Sequence, residues 1–342
     1  MTSAIQNGES ATIYLHFPCF DGIVSGALAV LFLGKLRGWR FDSINSVNYD
    51  LQANWLNTHL PQHSCVVDFL YHPEAEFWCD HHTTTFLNST LRTDFAARPK
   101  TLQIYDQESR SSARLLWNRG AAVLGSADRL EKMVDWADRI DAADYDDVNQ
   151  ALFGSHPALQ ISRSLAVDAD SKYCDFLVRR LCVSSMRDLA AYPEVQRRVV
   201  HADELSREGL SRVEKHIHRH GNIVVFDVLT ENVSVNRYSA FYFDPNVQYS
   251  IGTFRSSGSI TVRVNANPWL RFHCPNLGEM MRAAAESAGL HCAGGGHERV
   301  GSLHLNEASE SAAAQVVAYL IKKLHGDLNG KERSQWQRAV TQ

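Results

Sequence analysis

The triplet Asp80-His81-His82 constrains this chain more than any other feature. Three metal-ligating side chains follow Glu76-Phe77-Trp78-Cys79, a short aromatic run that reads as a strand. Similar endings recur along the sequence. His16 and Asp21 follow the apolar stretch Ile13-Tyr14-Leu15, Asp68 closes Cys65-Val66-Val67, and Asp138 sits in Trp136-Ala137-Asp138-Arg139. Separate segments thus deliver an imidazole or a carboxylate wherever a strand or helix terminates. An open α/β sheet builds its ligand site in this way, at the carboxyl ends of its strands.

The pattern between these endings supports such a sheet. Residues 12–17 are rich in β-formers, Gly22 to Leu33 is apolar on a helical period, and Phe17-Pro18-Cys19-Phe20-Asp21-Gly22 punctuates the join. Further strands are predicted at 41–48, 64–69 and 76–79, with helices at 110–118 and 127–137. Alternation of this kind predicts a mainly parallel sheet with helices on both faces, in a first α/β domain over residues 10–150. Residues 151–220 read as a charged, helical connector whose last helix begins near Val195 and runs to about His220. Strands return at 223–226, 248–252, 259–265 and 301–305, with helices at 276–288 and 308–324 and a turn at Ser256-Ser257-Gly258. They predict a smaller α/β domain over residues 221–326, followed by a polar tail.

Bulk properties exclude several classes. At 342 residues the chain exceeds one ordinary core, and 44% hydrophobic with 21% charged residues describes a soluble globular protein. No apolar run could span a bilayer, and the first ten residues lack a signal peptide, so a cytoplasmic protein is expected. Seven cysteines without a Cys-x-x-Cys spacing argue against both a zinc finger and a disulfide framework. A net charge of −4 gives no global positive field for long nucleic acid. Any nucleotide substrate should therefore be short and held locally; no long duplex and no membrane is expected, and a homo-oligomer is compatible.

Each constellation has its own chemistry. His16, Cys19 and Asp21 share one strand-to-helix loop, where mixed oxygen and nitrogen donors suit Mn²⁺, Mg²⁺ or Zn²⁺. The same loop also suits a helix-capping Asp21 beside a buried His16. Asp68 fits either a ligand or an N-cap. His81 and His82, being adjacent, point in different directions from an extended strand, so one can hold metal while the other faces substrate. Asp138 and Asp141 lie on neighbouring faces of a helix. Downstream, Gly294-Gly295-Gly296 can bring backbone N–H groups close to a phosphate, with His297 as a further donor. Arg263 and Asn265 alternate with Val262 and Val264 and so share one sheet face. Arg255, Trp269, Arg271, His273 and Arg299 are further candidates for substrate contact.

Taken together, His16…Asp21-Gly22, Asp68, Asp80-His81-His82 and Asp138 resemble the four motifs of the DHH phosphoesterase superfamily, and Gly294-Gly295-Gly296-His297 resembles the glycine-rich motif of its associated C-terminal domain. The resemblance covers residues 12–143 and 222–324 and leaves 151–220 without a motif. It implies a phosphoesterase with two manganese ions per subunit and an active site between the domains. By position, His16 and Asp68 would hold one metal; Asp21, His81, Asp138 and a shared Asp68 would hold the other. Asp138 matches the fourth motif better than Asp141 does. His82 would contact the phosphate or assist the leaving group, with Asp80 beside it, and Arg263 would grip substrate phosphate. One departure stands out: the first motif usually reads Asp-x-Asp, whereas this chain has Cys19-Phe20-Asp21. Cys19 then either ligates as a thiolate, favouring softer metals, or weakens the site near His16.

These readings converge on a metal-dependent phosphodiesterase that cuts short oligonucleotides or a dinucleotide by two-metal activation of water, acting exonuclease-like from an end. Rivals are hydrolysis of polyphosphate or of a small nucleoside phosphate. A different class is a non-catalytic nucleotide-sensing module whose metal site is weakened by Cys19.

Overall fold

A computed structural model describes residues 8–125, 128–232, 234–256, 259–290, 294–305 and 310–326. The chain begins with β1 (Ser10–His16), α1 (Phe20–Arg37) and β2 (Arg40–Val47), then a 3₁₀ segment over Tyr49–Asn57. Next come β3 (Ser64–Val67), β4 (Phe77–Asp80), α2 (Ser89–Ala97), β5 (Gln103–Tyr105), α3 (Ser112–Leu124) and α4 (Asp128–Asp141). Five helices follow: α5 (Val148–Phe153), α6 (Pro157–Ser164), α7 (Ser171–Val183), α8 (Met186–Ala190) and α9 (Pro193–His216). The remaining elements are β6 (Ile217–His220), β7 (Ile223–Asn232), α10 (Ser239–Phe243), β8 (Tyr249–Ser256), β9 (Ser259–Ala266), α11 (Leu277–Ser287), β10 (Gly295–His297), β11 (Val300–Leu305) and α12 (Glu310–Gly326). The predicted α/β class is correct, and two sheets carry it.

The first sheet has the order β2-β1-β3-β4-β5, and every pairing in it is parallel. All residues of β3 and β4 are buried, as a parallel sheet covered on both faces requires. Helix α1 is apolar nearly all round because it packs against β1 and also against α3, α4 and α7. It ends at Gly38, which adopts φ +70 and donates its N–H to the Gly34 carbonyl. Five of the helices after α4 were not resolved individually by the sequence pattern, and strand β5 was missed because it spans only Gln103–Tyr105.

The second sheet has the order β10-β11-β9-β8-β7-β6 and is antiparallel except for β7 with β8. Ile260, Val262 and Val264 of β9 face a core shared with Leu277 and Met281 of α11 and Val316 and Leu320 of α12. Here the sequence expectation needs a correction: the long helix stops at His216, and Ile217–His220 pairs antiparallel with β7. Contacts divide the chain into one unit of residues 1–145 with 154–202, and a second of 146–153 with 203–342. The segment 151–220 is thus shared between the two units, and α9 contributes to both. Among the described residues no helix is long and apolar enough to cross a membrane. The polar tail beyond Gly326 lies outside the described residues.

Candidate metal centre

Register alone brings three of the acids and imidazoles into a row. Leu15 pairs with Val67, and Val67 pairs with Cys79, so the next residues along β1, β3 and β4 are His16, Asp68 and Asp80. Parallel strands lie about 4.8 Å apart, which places one donor per strand across a span that a cation can bridge. Asp68 adopts a left-handed φ of +55, and its N–H donates to the Cys79 carbonyl at 2.9 Å. That conformation costs a non-glycine residue about 1–2 kcal/mol. Two buried indoles hold the chain just beyond it, with Trp78 donating to the Phe69 carbonyl at 2.9 Å and Trp55 to the Leu70 carbonyl at 3.0 Å.

Helix α1 brings the fourth donor. A Cβ on Gly22 would lie 2.0 Å from the His16 carbonyl oxygen and 3.3 Å from Asp68 Oδ2, so only glycine lets the helix start this close to the strand end. Asp21, one residue earlier, is buried and accepts hydrogen bonds from the backbone N–H groups of Ser112 at 2.7 Å and Ala113 at 2.9 Å. It therefore sits against the first turn of α3, where unpaired N–H groups favour an anion. Cys19 lies with His16 and Asp68 in a group whose ligand atoms are all within 4.8 Å of one another.

Asp80 Oδ1 accepts from the His81 N–H and from His82 Nδ1, both at 2.8 Å. His81 turns its Nδ1 toward the Ser109 carbonyl at 3.0 Å, which assigns the proton to that nitrogen and directs Nε2 into the cluster. The two adjacent histidines thus take different partners, as the extended-strand geometry predicts.

The structure separates the two acids that the fourth motif offers. Asp138 does not join the donor cluster: its Oδ1 accepts from Ser111 Oγ at 2.6 Å and its Oδ2 from Arg114 Nε at 2.8 Å. Asp141 joins instead, in a group with Asp21 and His81, its Oδ2 lying 3.4 Å from His81 Nε2. Helix α4 runs to Asp141, past the predicted end at residue 137, so both acids are helical and three residues apart. Asp138 turns to α3 while Asp141 turns to the sheet edge.

The chemistry of the donors fits divalent cations. His16 Nδ1, Asp68 Oδ2, Asp80 Oδ2 and His81 Nε2 are all buried without a hydrogen-bond partner among the described residues. Buried polar atoms of folded proteins are otherwise nearly always paired. Burial raises the Asp68 carboxyl well above the usual carboxylate range, and Asp21, Asp80 and Asp141 push it further. Burial, then Asp68, Asp141 and Asp21, likewise raise the Cys19 thiol. Burial and then the His82 charge push His16 down to about 4, against Asp80 and Asp21. Like charges crowded together and a neutral imidazole are what a bound cation would relieve and use. Burial disfavours a charged His82, yet Asp80, as charge and as hydrogen-bond acceptor, carries it up to about 9. Burial alone would raise Asp80, but His82 as charge and donor, with Thr85 and His81, lowers it.

The residues predicted to bind substrate lie in the second unit. Arg263 stands with its guanidinium 5.0 Å from the Phe254 ring centre, and burial followed by the nearby Arg237 charge lowers it to about 10. Asn265 donates to Ser250 Oγ at 3.2 Å, while its own Oδ1 is buried without a hydrogen-bond partner among the described residues. Of the glycines, Gly296 has a packing reason of its own: a Cβ there would lie 2.1 Å from the Val300 carbonyl oxygen. Gly294 takes φ +76, and Gly295 has open space with Arg282 Nη2 3.9 Å from where a Cβ would be. The backbone of His297 pairs with Val300, and its side chain lies outside the described residues, as does the Ser257-Gly258 turn. Sequence reasoning missed Ser111 and Ser112, which touch Asp138, Asp21 and Asp68. A serine just ahead of an apolar helical run is an N-cap signal, and it would have placed a helix N-terminus here.

Comparison with known proteins bears on the fold. A pGpG-specific phosphodiesterase, PggH from Vibrio cholerae, superposes with a TM-score of 0.68 at 18% identity, over 93% of this chain and 99% of that one. A DHH domain of a member of the s1p family of ribosomal proteins matches with a TM-score of 0.57 at 12% identity, over 92% and 87%. The chain has the DHH fold. An exopolyphosphatase-related protein from Bacteroides fragilis shares it more distantly, with a TM-score of 0.50 at 13% identity over 92% of each chain. No protein-family model and no curated protein sequence matches. At these identities the DHH likeness is one of fold.

Proposed function

We propose that this chain is a divalent-metal phosphodiesterase acting on short oligonucleotides or a dinucleotide. The observation that carries the reading is the convergence of four buried donors without a hydrogen-bond partner among the described residues, His16 Nδ1, Asp68 Oδ2, Asp80 Oδ2 and His81 Nε2, at one sheet edge. His16, Cys19 and Asp68 would hold one cation, and Asp21, His81 and Asp141 with a shared Asp68 the other; manganese suits this mixed donor set. Bound cations would activate water and neutralise charge on the phosphoryl oxygens. The protein's own residues do the rest. Asp80 fixes the orientation of His82 through its Nδ1, so that His82 can face the leaving oxygen and give it a proton. Asp141 and His81 face each other and fix the second donor group.

The second unit supports a nucleotide over a bare phosphate chain. Arg237, over the ring of Tyr238 at 4.8 Å, and Trp269, 5.6 Å from that ring, put aromatic surface beside cationic groups. That the phosphodiesterase PggH acts on pGpG fits a dinucleotide substrate. Purified protein with Mn²⁺ should release mononucleotides from di- to pentanucleotides, and Asp80→Ala should not. If oligonucleotides and cyclic dinucleotides stay intact while polyphosphate is shortened, the polyphosphatase reading replaces this one. Nucleotide binding without metal or turnover would instead support a sensor.

A further inference from the structure

The acids of the centre are held by a residue that none of the motifs contains. Ser112, the first residue of α3, is fully buried, as is Asp68. Its hydroxyl lies 2.9 Å from Asp68 Oδ1 and 3.4 Å from Asp80 Oδ1. A hydroxyl has one proton to give. Asp80 Oδ1 already accepts two bonds of 2.8 Å, from the His81 N–H and from His82 Nδ1. The proton therefore goes to Asp68 Oδ1, the nearer acceptor and the one without another partner of that quality. Asp68 Oδ2 is left over, buried and without a hydrogen-bond partner among the described residues, 3.5 Å from His16 Nδ1.

We propose that Ser112 is a positioning residue: its hydroxyl selects which oxygen of Asp68 is offered to a bound cation. The proposal rests on the metal-centre reading above. Backbone and side chain of Ser112 have separate duties, since its N–H serves Asp21 Oδ2 at 2.7 Å while its hydroxyl serves Asp68. A substitution can therefore delete the hydroxyl and leave the helix–Asp21 contact in place. Without it, the Asp68 carboxylate can rotate about its last bond, and both oxygens compete for the same cation.

The test is Mn²⁺ titration of the full-length protein by calorimetry and by electron paramagnetic resonance, with the melting temperature recorded with and without metal. Ser112→Ala and the near-isosteric, weakly donating Ser112→Cys should bind Mn²⁺ about 10–100-fold more weakly, the usual cost of losing a partner of a metal ligand. Their metal-free melting temperatures should stay near that of the parent while the Mn²⁺-induced rise shrinks. Ser112→Thr keeps the hydroxyl and should restore affinity. Parent-like affinity in both Ser112→Ala and Ser112→Cys, or failure of Ser112→Thr to rescue, overturns the proposal alone. A parent protein that binds neither Mn²⁺, Mg²⁺ nor Zn²⁺ overturns the metal-centre reading and this proposal with it.

Discussion

The two sheets place their polar residues by different rules. In the first, all strands are parallel, β3 and β4 are buried throughout, and the carboxylates that follow or end them, Asp68 and Asp80, stand at the carboxyl edge. In the second, mostly antiparallel sheet, one face of β9 packs on α11 and α12. The other face carries Arg263 and Asn265 in mid-strand. The first sheet gathers acids, whose mutual repulsion calls for cations. The second buries the Arg263 guanidinium against the Phe254 ring, near the charge of Arg237. Sheet type decides where a functional side chain can stand, and composition decides what it can hold.

The largest expected effects break the acidic edge. Asp68→Ala and Asp80→Ala should each lower kcat with Mn²⁺ by more than about a hundredfold, the upper range for disturbing a metal site, as measured on a labelled dinucleotide. Parent-like turnover in both would sink the comparison. Gly22→Ala should come next, because its methyl would press on the His16 carbonyl at 2.0 Å; overpacking of this kind costs about 1–3 kcal/mol or more, seen as a lower melting temperature together with weaker Mn²⁺ binding.

Two acids on one helix sharpen it further. Asp141→Asn should weaken Mn²⁺ binding about 10–100-fold with little loss of metal-free stability. Asp138→Asn should do the reverse, losing about 1–3 kcal/mol of stability from its bonds to Ser111 and Arg114 while metal affinity holds. On β9, Arg263→Met should raise KM for a dinucleotide about tenfold, in the range of one lost charge-assisted bond, with kcat nearly unchanged. The smallest effect is in pH. The Asp68 carboxyl is raised, so it holds its proton to higher pH than a free aspartate, and a cation must displace that proton. Mn²⁺ affinity should therefore rise with pH, and the calorimetric heat should change with the buffer's ionisation enthalpy. Identical heats in two buffers would show that no proton leaves.

Much of the first sheet could be read directly from the chain. Short apolar runs ending in His16, Asp68 and Asp80 predicted strands with a common edge, because burial of both faces leaves a parallel strand nowhere else to put a charge. The choice between Asp138 and Asp141 could not be read, since the two lie three residues apart on one helix. What separates them is the neighbour each meets, Arg114 or His81. Strand β6 was hidden for a related reason: Ile217-His218-Arg219-His220 has no apolar alternation, and pairing with β7 makes it a strand.

The sequence by itself determined the α/β class and the parallel edge where His16, Asp68 and Asp80 stand, because strand periodicity is a local property. Only the tertiary structure decided that Asp141 meets His81, that α3 closes over Asp21, and that one serine hydroxyl divides the two oxygens of Asp68. Those are contacts between elements distant in the chain, set by how helices pack on a twisted sheet, and no local pattern encodes them.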